Sequence, residues 1–361
     1  MQIQVDEGKG DSMRNYILFL SIIILIFSGC LDNLFGEVIY EKTPTTIEYK
    51  ISYGYIINVS GNGKINITYT CPLPDAHKLQ NLSIVGNYPY RKAKYGENEM
   101  IVWSFEKENA KSIKLGISAE IISNAFLVSL NGSNACDIED INQHLKKIYC
   151  RDEGIENKTL IQVTNGEIKT IADKLRTSNN TFDVGKNIFV WLKTHTTYVY
   201  HQEEQKAPQS AIETLKLKAG DCDDLSILYI SLCRSAGIPA RLVKGYLIVE
   251  EDNDYKVIPH AWAEIYTGMG ENGWIPVECA GISGDADTEV HQNFGVEDAF
   301  HLKVYVDNGT NESLNLSFEE LKVWYEKSLH LDIKPFLEVS DVHVKNYKNL
   351  VVKKNGERFY R

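Results

Sequence analysis

Apolar and polar residues alternate along residues 36–133, and this period of two predicts β-strands. Ile47, Tyr49 and Ile51 alternate with polar side chains, and the same alternation returns over residues 113–121. A strand with one apolar face needs a second layer to cover it. The pattern therefore predicts a β-sandwich-like domain, whose expected role is support or substrate presentation.

After residue 133 the apolar positions recur three and four residues apart, which indicates helices. The helix that matters most begins at Cys222, has a leucine seam along one face and ends at Gly237. Strands follow it over residues 240–249, 256–266 and 273–279. One helix before an antiparallel sheet predicts an α+β core over residues 134–306. The remainder, 307–361, is predicted to be an extension with a helix over 321–331 and a final pair of strands.

The composition excludes two broad classes of protein. Of the 361 residues, 43% are hydrophobic and 24% are charged, which is an ordinary globular balance and excludes wholesale disorder. The formal net charge is −11, whereas a surface that binds nucleic acid needs clustered lysine and arginine. We therefore expect no nucleic-acid partner.

Residues 1–30 have the pattern of an export signal. The apolar run 16–27 would span about 18 Å as a helix, short of the roughly 30 Å hydrocarbon core of a membrane, so its length fits a signal peptide. The small residues before Cys30 resemble a lipoprotein lipobox, with Phe27 as a departure, and the resemblance implies a lipidated Cys30. The alternative is an uncleaved signal anchor. Both predict an extracytoplasmic chain anchored to the cell membrane, and the acidic residues ahead of Met13 favour Met13 as the start.

Sequons and cysteines bear on the same question of compartment. Nine Asn-x-Ser/Thr sequons all lie outside residues 182–307, which suits a glycosylated exterior, although loops rich in Asn and Ser also generate sequons freely. The seven cysteines include no CxxC pair, so we expect no structural zinc and no cofactor. Cys136 and Cys150 are the nearest candidates for a disulfide.

Cys222 lies where a thiol can be activated. The free backbone N–H groups and the positive dipole end of its helix favour a thiolate and could hold an oxyanion. The carboxylates of Asp221 and Asp223 oppose this, because nearby negative charge raises a thiol pKa. A histidine partner would therefore matter more. His260 and Glu278 lie on adjacent predicted strands, where opposed side chains are close enough to contact each other. A thiol, an imidazole and an acid are the parts of nucleophilic acyl transfer.

The motifs around these residues occur in a definite order and spacing. They are Gly-Asp-Cys-Asp-Asp at 220–224, Ser-Ala-Gly-Ile-Pro-Ala-Arg at 235–241, His-Ala-Trp-Ala-Glu at 260–264 and Gly-Trp-Ile-Pro-Val-Glu at 273–278. Together they resemble the transglutaminase-like superfamily. The resemblance implies a papain-like core with Cys222 as nucleophile and His260 as base. Glu278 stands where the family usually has aspartate. Trp262 and Trp274 match the family's strand tryptophans and are expected, with Asp221, to bind substrate or support the site.

Two functional hypotheses of different classes follow. The leading one is an extracytoplasmic, membrane-anchored thiol enzyme that acts on amide or peptide acyl groups of a protein or peptide substrate. It would work through a Cys222 thioester, with hydrolysis slightly favoured over transfer to an amine. The alternative is a non-catalytic binding or scaffold module that retains the fold. A third idea, a metal site of Cys222, His260, Glu278 and Cys279, needs more than the triad does to explain the same residues.

Overall fold

The computed structural model describes residues 36–199, 207–252, 254–281, 284–315 and 319–361. The expected export signal, with Met13 and Cys30, lies outside these residues. Among the described residues, none of the helices combines the length and the apolar character needed to cross a membrane.

The strands are numbered β1 to β19 through the described part of the chain. They are β1 Glu37–Ser60, β2 Lys64–Pro72, β3 Leu79–Val85, β4 Tyr90–Tyr95, β5 Asn98–Glu108, β6 Ser112–Asn124, β7 Phe126–Leu127, β8 Glu153–Ile155, β9 Lys158–Ile161, β10 Thr197–Tyr198, β11 Ala219–Gly220, β12 Ala240–Glu251, β13 Asp254–Glu271, β14 Trp274–Val277, β15 Val296–Glu297, β16 His301–Val306, β17 Glu320–Tyr325, β18 His330–Lys353 and β19 Arg358–Tyr360.

The α-helices of the same residues are numbered α1 to α7. They are α1 Gln143–Tyr149, α2 Gly166–Leu175, α3 Thr181–His195, α4 Ala211–Leu217, α5 Cys222–Ser235, α6 Ala286–Asn293 and α7 Asn311–Asn315, and two short 3-10 helices, Gly132–Asn134 and Ile138–Asp140, precede α1.

Two sheets pack face to face and form the predicted β-sandwich. One sheet has the strand order β19-β18-β1-β6-β3, and the other has the order β17-β2-β5-β4. Tyr53 of the first sheet and Tyr69 and Trp103 of the second are fully buried in the apolar core that the sheets share. The alternation in the sequence supplies this core because successive side chains of a strand point to opposite faces. The expected sheet-rich domain ahead of the α+β core is confirmed.

The helix predicted over 321–331 is wrong, because most of these residues join the sandwich as strands. β17 pairs antiparallel with β2, and Leu321 and Val323 pack against the sandwich core while Lys322 between them is exposed. β18 then runs antiparallel to β1 along the whole length of β1. The period of two in Leu321 and Val323 decides the outcome, since it presents one apolar face to the open edge of β2.

The α+β core places one helix on an antiparallel sheet, as predicted. α5 is buried along almost its whole length and packs on the sheet of order β14-β13-β12-β16, with α2, α3 and α4 against it. The far face of this sheet belongs to the sandwich: Tyr246 and Ile248 of β12 and Leu302 and Val304 of β16 are buried in the sandwich core. The core sheet therefore has an apolar core on each of its two faces.

The six cysteines of the described residues form no disulfide. Cys136 lies beside the hydroxyl of Thr181 at 3.8 Å, and Cys150 directly follows α1. The candidate pairing of Cys136 with Cys150 is therefore wrong for this structure. Both thiols are free: the Cys136 sulfur lies against Thr181, whereas Cys150 caps the end of α1.

Candidate active site

Cys222 is the first residue of α5, and its neighbours build the cap that starts the helix. The Asp221 side chain accepts a hydrogen bond from the backbone N–H of Asp224 (3.4 Å), and the Asp224 carboxylate accepts one from the N–H of Asp221 (3.3 Å). Asp224 is buried and also accepts a 2.7 Å hydrogen bond from the backbone N–H of Gln209. These bonds fix Cys222 beside the free N–H groups of the first turn.

The structure brings Cys222, His260 and Glu278 together. His260 lies on β13, and Glu278 directly follows β14, the neighbouring strand. The Nε2 atom of His260 lies 2.7 Å from Oε2 of Glu278, and the two side chains are 9% and 13% exposed. The Cys222 thiol lies beside the His260 ring, and each group shifts the pKa of the other. Because Nε2 faces Glu278, Nδ1 is the ring nitrogen left for the thiol.

Both oxygens of the Glu278 carboxylate have partners. Oε1 accepts a 2.7 Å hydrogen bond from the backbone N–H of Ala280, and Oε2 lies 2.7 Å from His260 and 3.0 Å from Nε2 of His301. Burial alone would raise the pKa of Glu278, but the His260 and His301 side chains hold that pKa well below its usual range. Glu278 is therefore a fixed anion, and the methylene that it has in excess of aspartate does not leave its carboxylate loose.

The Glu278 charge makes His260 a stronger base. Burial alone would lower the pKa of His260, because desolvation disfavours the imidazolium. The charge of Glu278, its hydrogen bond with His260 and the interaction with Cys222 outweigh burial and raise this pKa to about 9. With this pKa His260 is largely an imidazolium near neutral pH, and only its neutral fraction can take a proton from the thiol.

The interactions around Cys222 raise the pKa of its thiol, so they favour the thiol over the thiolate. Burial raises the pKa of the Cys222 thiol; His260 lowers it, and the carboxylates of Asp223 and Asp221 raise it further. The net direction is upward. The expectation that the helix start favours a thiolate is therefore outweighed, and proton transfer to His260 has to supply the nucleophile.

Asp223 lies close to the thiol. An oxygen of Asp221, an oxygen of Asp223 and the Cys222 sulfur all lie within 4.8 Å of one another. Burial, with the hydrogen bond and charge of Asp221, raises the pKa of Asp223 to about 7, against the charge of Lys244. The charge beside the thiol therefore changes near neutral pH.

The two tryptophans expected near the site lie in different places. Trp262 is 1% exposed, and its ring stacks beside His260 with 6.0 Å between centroids. Trp274 contacts Tyr266 edge-on, and the guanidinium of Arg241 lies 4.1 Å from its ring centroid. Trp262 therefore supports the histidine directly, whereas Trp274 belongs to the packing behind it.

His301 is part of the site, and sequence reasoning did not find it. It is the first residue of β16, and its ring lies 5.4 Å from that of His260 and edge-on to Trp262 at 5.1 Å. Its Nδ1 lies 2.7 Å from Oδ1 of Asp298. One sequence signal was Gly245 on the intervening strand, where a Cβ would lie 2.0 Å from a backbone oxygen of β16 and 3.0 Å from the Trp262 ring. A glycine there indicates that β12, β16 and the tryptophan approach closely.

The metal set considered from the sequence is not the one that the structure groups. Cys279 is fully buried, and its thiol donates to the carbonyl oxygen of Val277 at 3.7 Å. His260, Glu278 and His301 offer ligand atoms within 4.8 Å of one another. Hydrogen bonds already pair these ligand atoms with one another and account for their arrangement.

Residues 168–279 match the family model of the transglutaminase-like superfamily. The chain therefore carries a transglutaminase-like domain, as the sequence motifs predict. The matched range contains Cys222, His260 and Glu278, and it ends before Asp298 and His301.

Three of the proteins that are similar to this chain come from curated sequences and solved structures. The uncharacterized protein YebA of Bacillus subtilis (strain 168) is 34% identical over 130 residues, which are 31% of this chain and 17% of that protein, so this chain spans about a sixth of its relative's length. A candidate cysteine protease from Cytophaga hutchinsonii superposes with a TM-score of 0.51 at 14% identity, covering 82% of this chain and 92% of its own. The periplasmic domain of TgpA from Pseudomonas aeruginosa gives a TM-score of 0.32 at 12% identity, covering 63% and 86%. The second likeness shows the fold alone, and the third is too low to support an argument.

Proposed function

We propose that the chain is a thiol enzyme that acts on amide or peptide acyl groups of a protein or peptide substrate. The observation that carries the proposal is the 2.7 Å contact between His260 and Glu278 beside the Cys222 thiol, which is held at the start of a buried helix. Hydrolysis is slightly favoured, because water is always present and an amine acceptor needs a site of its own. The location that we propose is outside the cytoplasm, with the membrane reached through the export signal or a lipid on Cys30.

The reaction begins with attack of the Cys222 sulfur on the substrate carbonyl carbon. The thiol proton moves to Nδ1 of His260, and the resulting imidazolium is stabilised by the fixed Glu278 carboxylate. The carbonyl oxygen gains the negative charge, and the Cys222 backbone N–H at the helix start is placed to bind it. The tetrahedral intermediate collapses, the C–N bond breaks, and the leaving amine takes the proton from His260. A thioester on Cys222 remains.

The second half returns the enzyme to its starting state. Water attacks the thioester carbonyl while His260 takes one of its protons, and the C–S bond then breaks. The Cys222 sulfur regains that proton, and the acid product leaves. A primary amine in place of water would give transfer instead, with the same proton path.

The test uses the whole chain, purified in detergent, and a set of peptide amides with and without a primary amine. Mass spectrometry would follow products beside Cys222→Ala, with Cys136→Ala as the control because Cys136 is half-buried and lies beside Thr181. We expect cleavage or deamidation that is lost in Cys222→Ala and kept in the control. Amine incorporation with the same dependence would identify a transferase instead.

The second candidate is a non-catalytic module that binds protein or peptide through the same site. The carboxylates of Asp221 and Asp223 favour it, because they lie against the Cys222 thiol and help to raise its pKa. Binding to a partner that persists in Cys222→Ala, without any turnover by the unaltered chain, would support this candidate and contradict the thiol enzyme.

A further inference from the structure

A second histidine extends the series of hydrogen bonds beyond Glu278. His301 is 7% exposed, and each of its ring nitrogens faces a carboxylate: Nε2 lies 3.0 Å from Oε2 of Glu278, and Nδ1 lies 2.7 Å from Oδ1 of Asp298. The backbone N–H of Phe300 donates to the same Asp298 oxygen at 2.9 Å. Hydrogen bonds therefore link four side chains from His260 to Asp298, and the Cys222 thiol lies beside His260 at the near end.

The geometry determines where the protons lie. A carboxylate only accepts hydrogen bonds, so each ring nitrogen of His301 must carry a proton to bond to the carboxylate that it faces. His301 is therefore an imidazolium. Burial alone would lower its pKa, but the charges and hydrogen bonds of Asp298 and Glu278 raise that pKa to about 10. The same argument places a proton on Nε2 of His260, so Nδ1 is the nitrogen that exchanges a proton with the thiol.

We propose that His301 and Asp298 form a clamp on Glu278. In this clamp His301, held by Asp298, is a positioning residue for the thiol chemistry: it fixes the Glu278 carboxylate and balances its charge. This inference rests on the proposed function, since it concerns the same site. A glutamate has one more rotatable bond than aspartate, and His301 removes that freedom by bonding to the oxygen that also faces His260. The group of Glu278, His301 and Asp298 presents one net negative charge to His260, as a single carboxylate would.

The sandwich holds this clamp in place. The buried Lys78, which directly precedes β3, donates to the backbone carbonyl oxygen of His301 at 2.8 Å and lies 2.6 Å from Oε1 of Glu297. His301 therefore sits at the junction between the sandwich and the core sheet. The sandwich is thus part of what orients the site, beyond supporting the core.

The experiment measures the imidazole titrations directly, so that it does not depend on a known substrate. The whole chain, labelled with ¹³C-histidine, is titrated from about pH 5 to about pH 11, and the ring signals are assigned with His260→Gln and His301→Gln. In His301→Gln the loss of a cation 5.4 Å from His260 should raise the pKa of His260 by about 0.5 to 2 units. In Asp298→Asn the His301 signal should titrate at least one unit lower than in the unaltered chain. His330→Gln, at the exposed start of β18, is the control and should move neither signal.

The outcomes separate this inference from the proposed function. A more basic His260 stays protonated to higher pH and favours the thiolate, so both variants should shift the pH profile of Cys222 alkylation, measured on its peptide by mass spectrometry, to lower pH, while thermal unfolding shows that they fold. If His260 titrates at the same pH in the unaltered chain and in both variants, His301 only fills space and the positioning role is wrong. If His301 loses its proton below about pH 7 in the unaltered chain, the imidazolium is wrong. If the alkylation rate of Cys222 does not depend on His260 at all, the thiol chemistry itself is wrong, whatever His301 does.

Discussion

Replacing Asp223 by Asn should make the Cys222 thiol more acidic. Asp223 is the carboxylate beside the thiol that does not cap the helix, so the change leaves the capping pair of Asp221 and Asp224 in place. Its oxygen and the Cys222 sulfur lie within 4.8 Å of each other, and its charge is among the causes that raise the thiol pKa. An amide of the same shape removes that charge.

The size of the effect follows from the distance. Two unit charges 4.8 Å apart interact by about 1 kcal/mol at the dielectric of water and by about 3 kcal/mol at an effective dielectric of about 20. With about 1.4 kcal/mol for each pKa unit, the thiol pKa should fall by about 0.5 to 2.5 units. Because the pKa of Asp223 is itself raised to about 7, this carboxyl is neutral well below that pH and charged above it. The variant should therefore differ from the unaltered chain only above about pH 6.

The assay is the rate of Cys222 alkylation by iodoacetamide across pH, read on the Cys222 peptide by mass spectrometry. Asp183→Asn is the matched control, since Asp183 is also an acid in the first turn of a helix, in this case α3. Both changes remove a favourable charge from a helix start, at a cost of about 0.3–1 kcal/mol of stability. The alkylation profile should move in Asp223→Asn alone.

One result would refute this account of the thiol. If the unaltered chain already holds Cys222 as a thiolate near pH 5, Asp223 is neutral where the thiolate forms and Asp223→Asn leaves the profile unchanged. The helix start and His260 would then outweigh burial, contrary to the upward direction of the thiol pKa.

Further predictions concern the carboxylate, the clamp and the close approach of the strands. Glu278→Asp withdraws the carboxylate from His260 and His301. The kcat/KM for an amide substrate should fall about 10–100-fold, which corresponds to the loss of a charge-assisted hydrogen bond. An unchanged kcat/KM would contradict the role given to the Glu278 oxygen that the two histidines share. Since the pKa of His301 is raised from 6.5 to about 10, its contribution to stability is complete below about pH 6.5 and is lost as the pH rises through about 10. Urea unfolding should show that slope in the unaltered chain and lack it in His301→Gln. Gly245→Ala places a Cβ 2.0 Å from a backbone oxygen and should lower the free energy of unfolding by about 1–3 kcal/mol or more, whereas Gly166→Ala, which meets nothing within 4 Å, should not lower it.

The core of the site was predictable because its parts are local. The helix that starts at Cys222 follows from a cap, a leucine seam and a glycine stop, all within residues 221–237. The hairpin of β13 and β14 sets the register, so the contact between His260 and Glu278 follows from counting along two adjacent strands. Short-range rules were sufficient for these features.

His301 was not predictable in the same way. It reaches Glu278, at the end of β14, across β13 and β12, and its neighbour β12 ends 50 residues before β16 begins. Strand order of this kind depends on how the core sheet packs against the sandwich, and single-sequence patterns do not contain it. The helix prediction over 321–331 failed for a related reason, since the partner of β17 is β2, about 250 residues earlier.

The sign of the Cys222 pKa also lay beyond the sequence. The helix dipole was visible in the motif, and the opposing carboxylates were visible beside it. The deciding contribution is burial, which is the largest cause of the upward shift and depends on the finished packing of α5. A thiol at a helix start is therefore a candidate nucleophile whose activation has to be judged from the site around it.

The path of the chain explains why the sandwich and the site depend on each other. The chain builds β1 to β6, then the α+β core, and then returns to place β17 beside β2 and β18 along β1. The core sheet is covered by α5 on one face and by the sandwich on the other, so removal of the sandwich would expose the buried side chains of Tyr246 and Leu302. It would also remove Lys78 from the carbonyl oxygen of His301. The first two residues of β16 are His301, the imidazolium, and Leu302, which contacts the sandwich core. A sandwich that loosens from the core sheet should therefore release the clamp on Glu278 before the helix that carries Cys222 is disturbed.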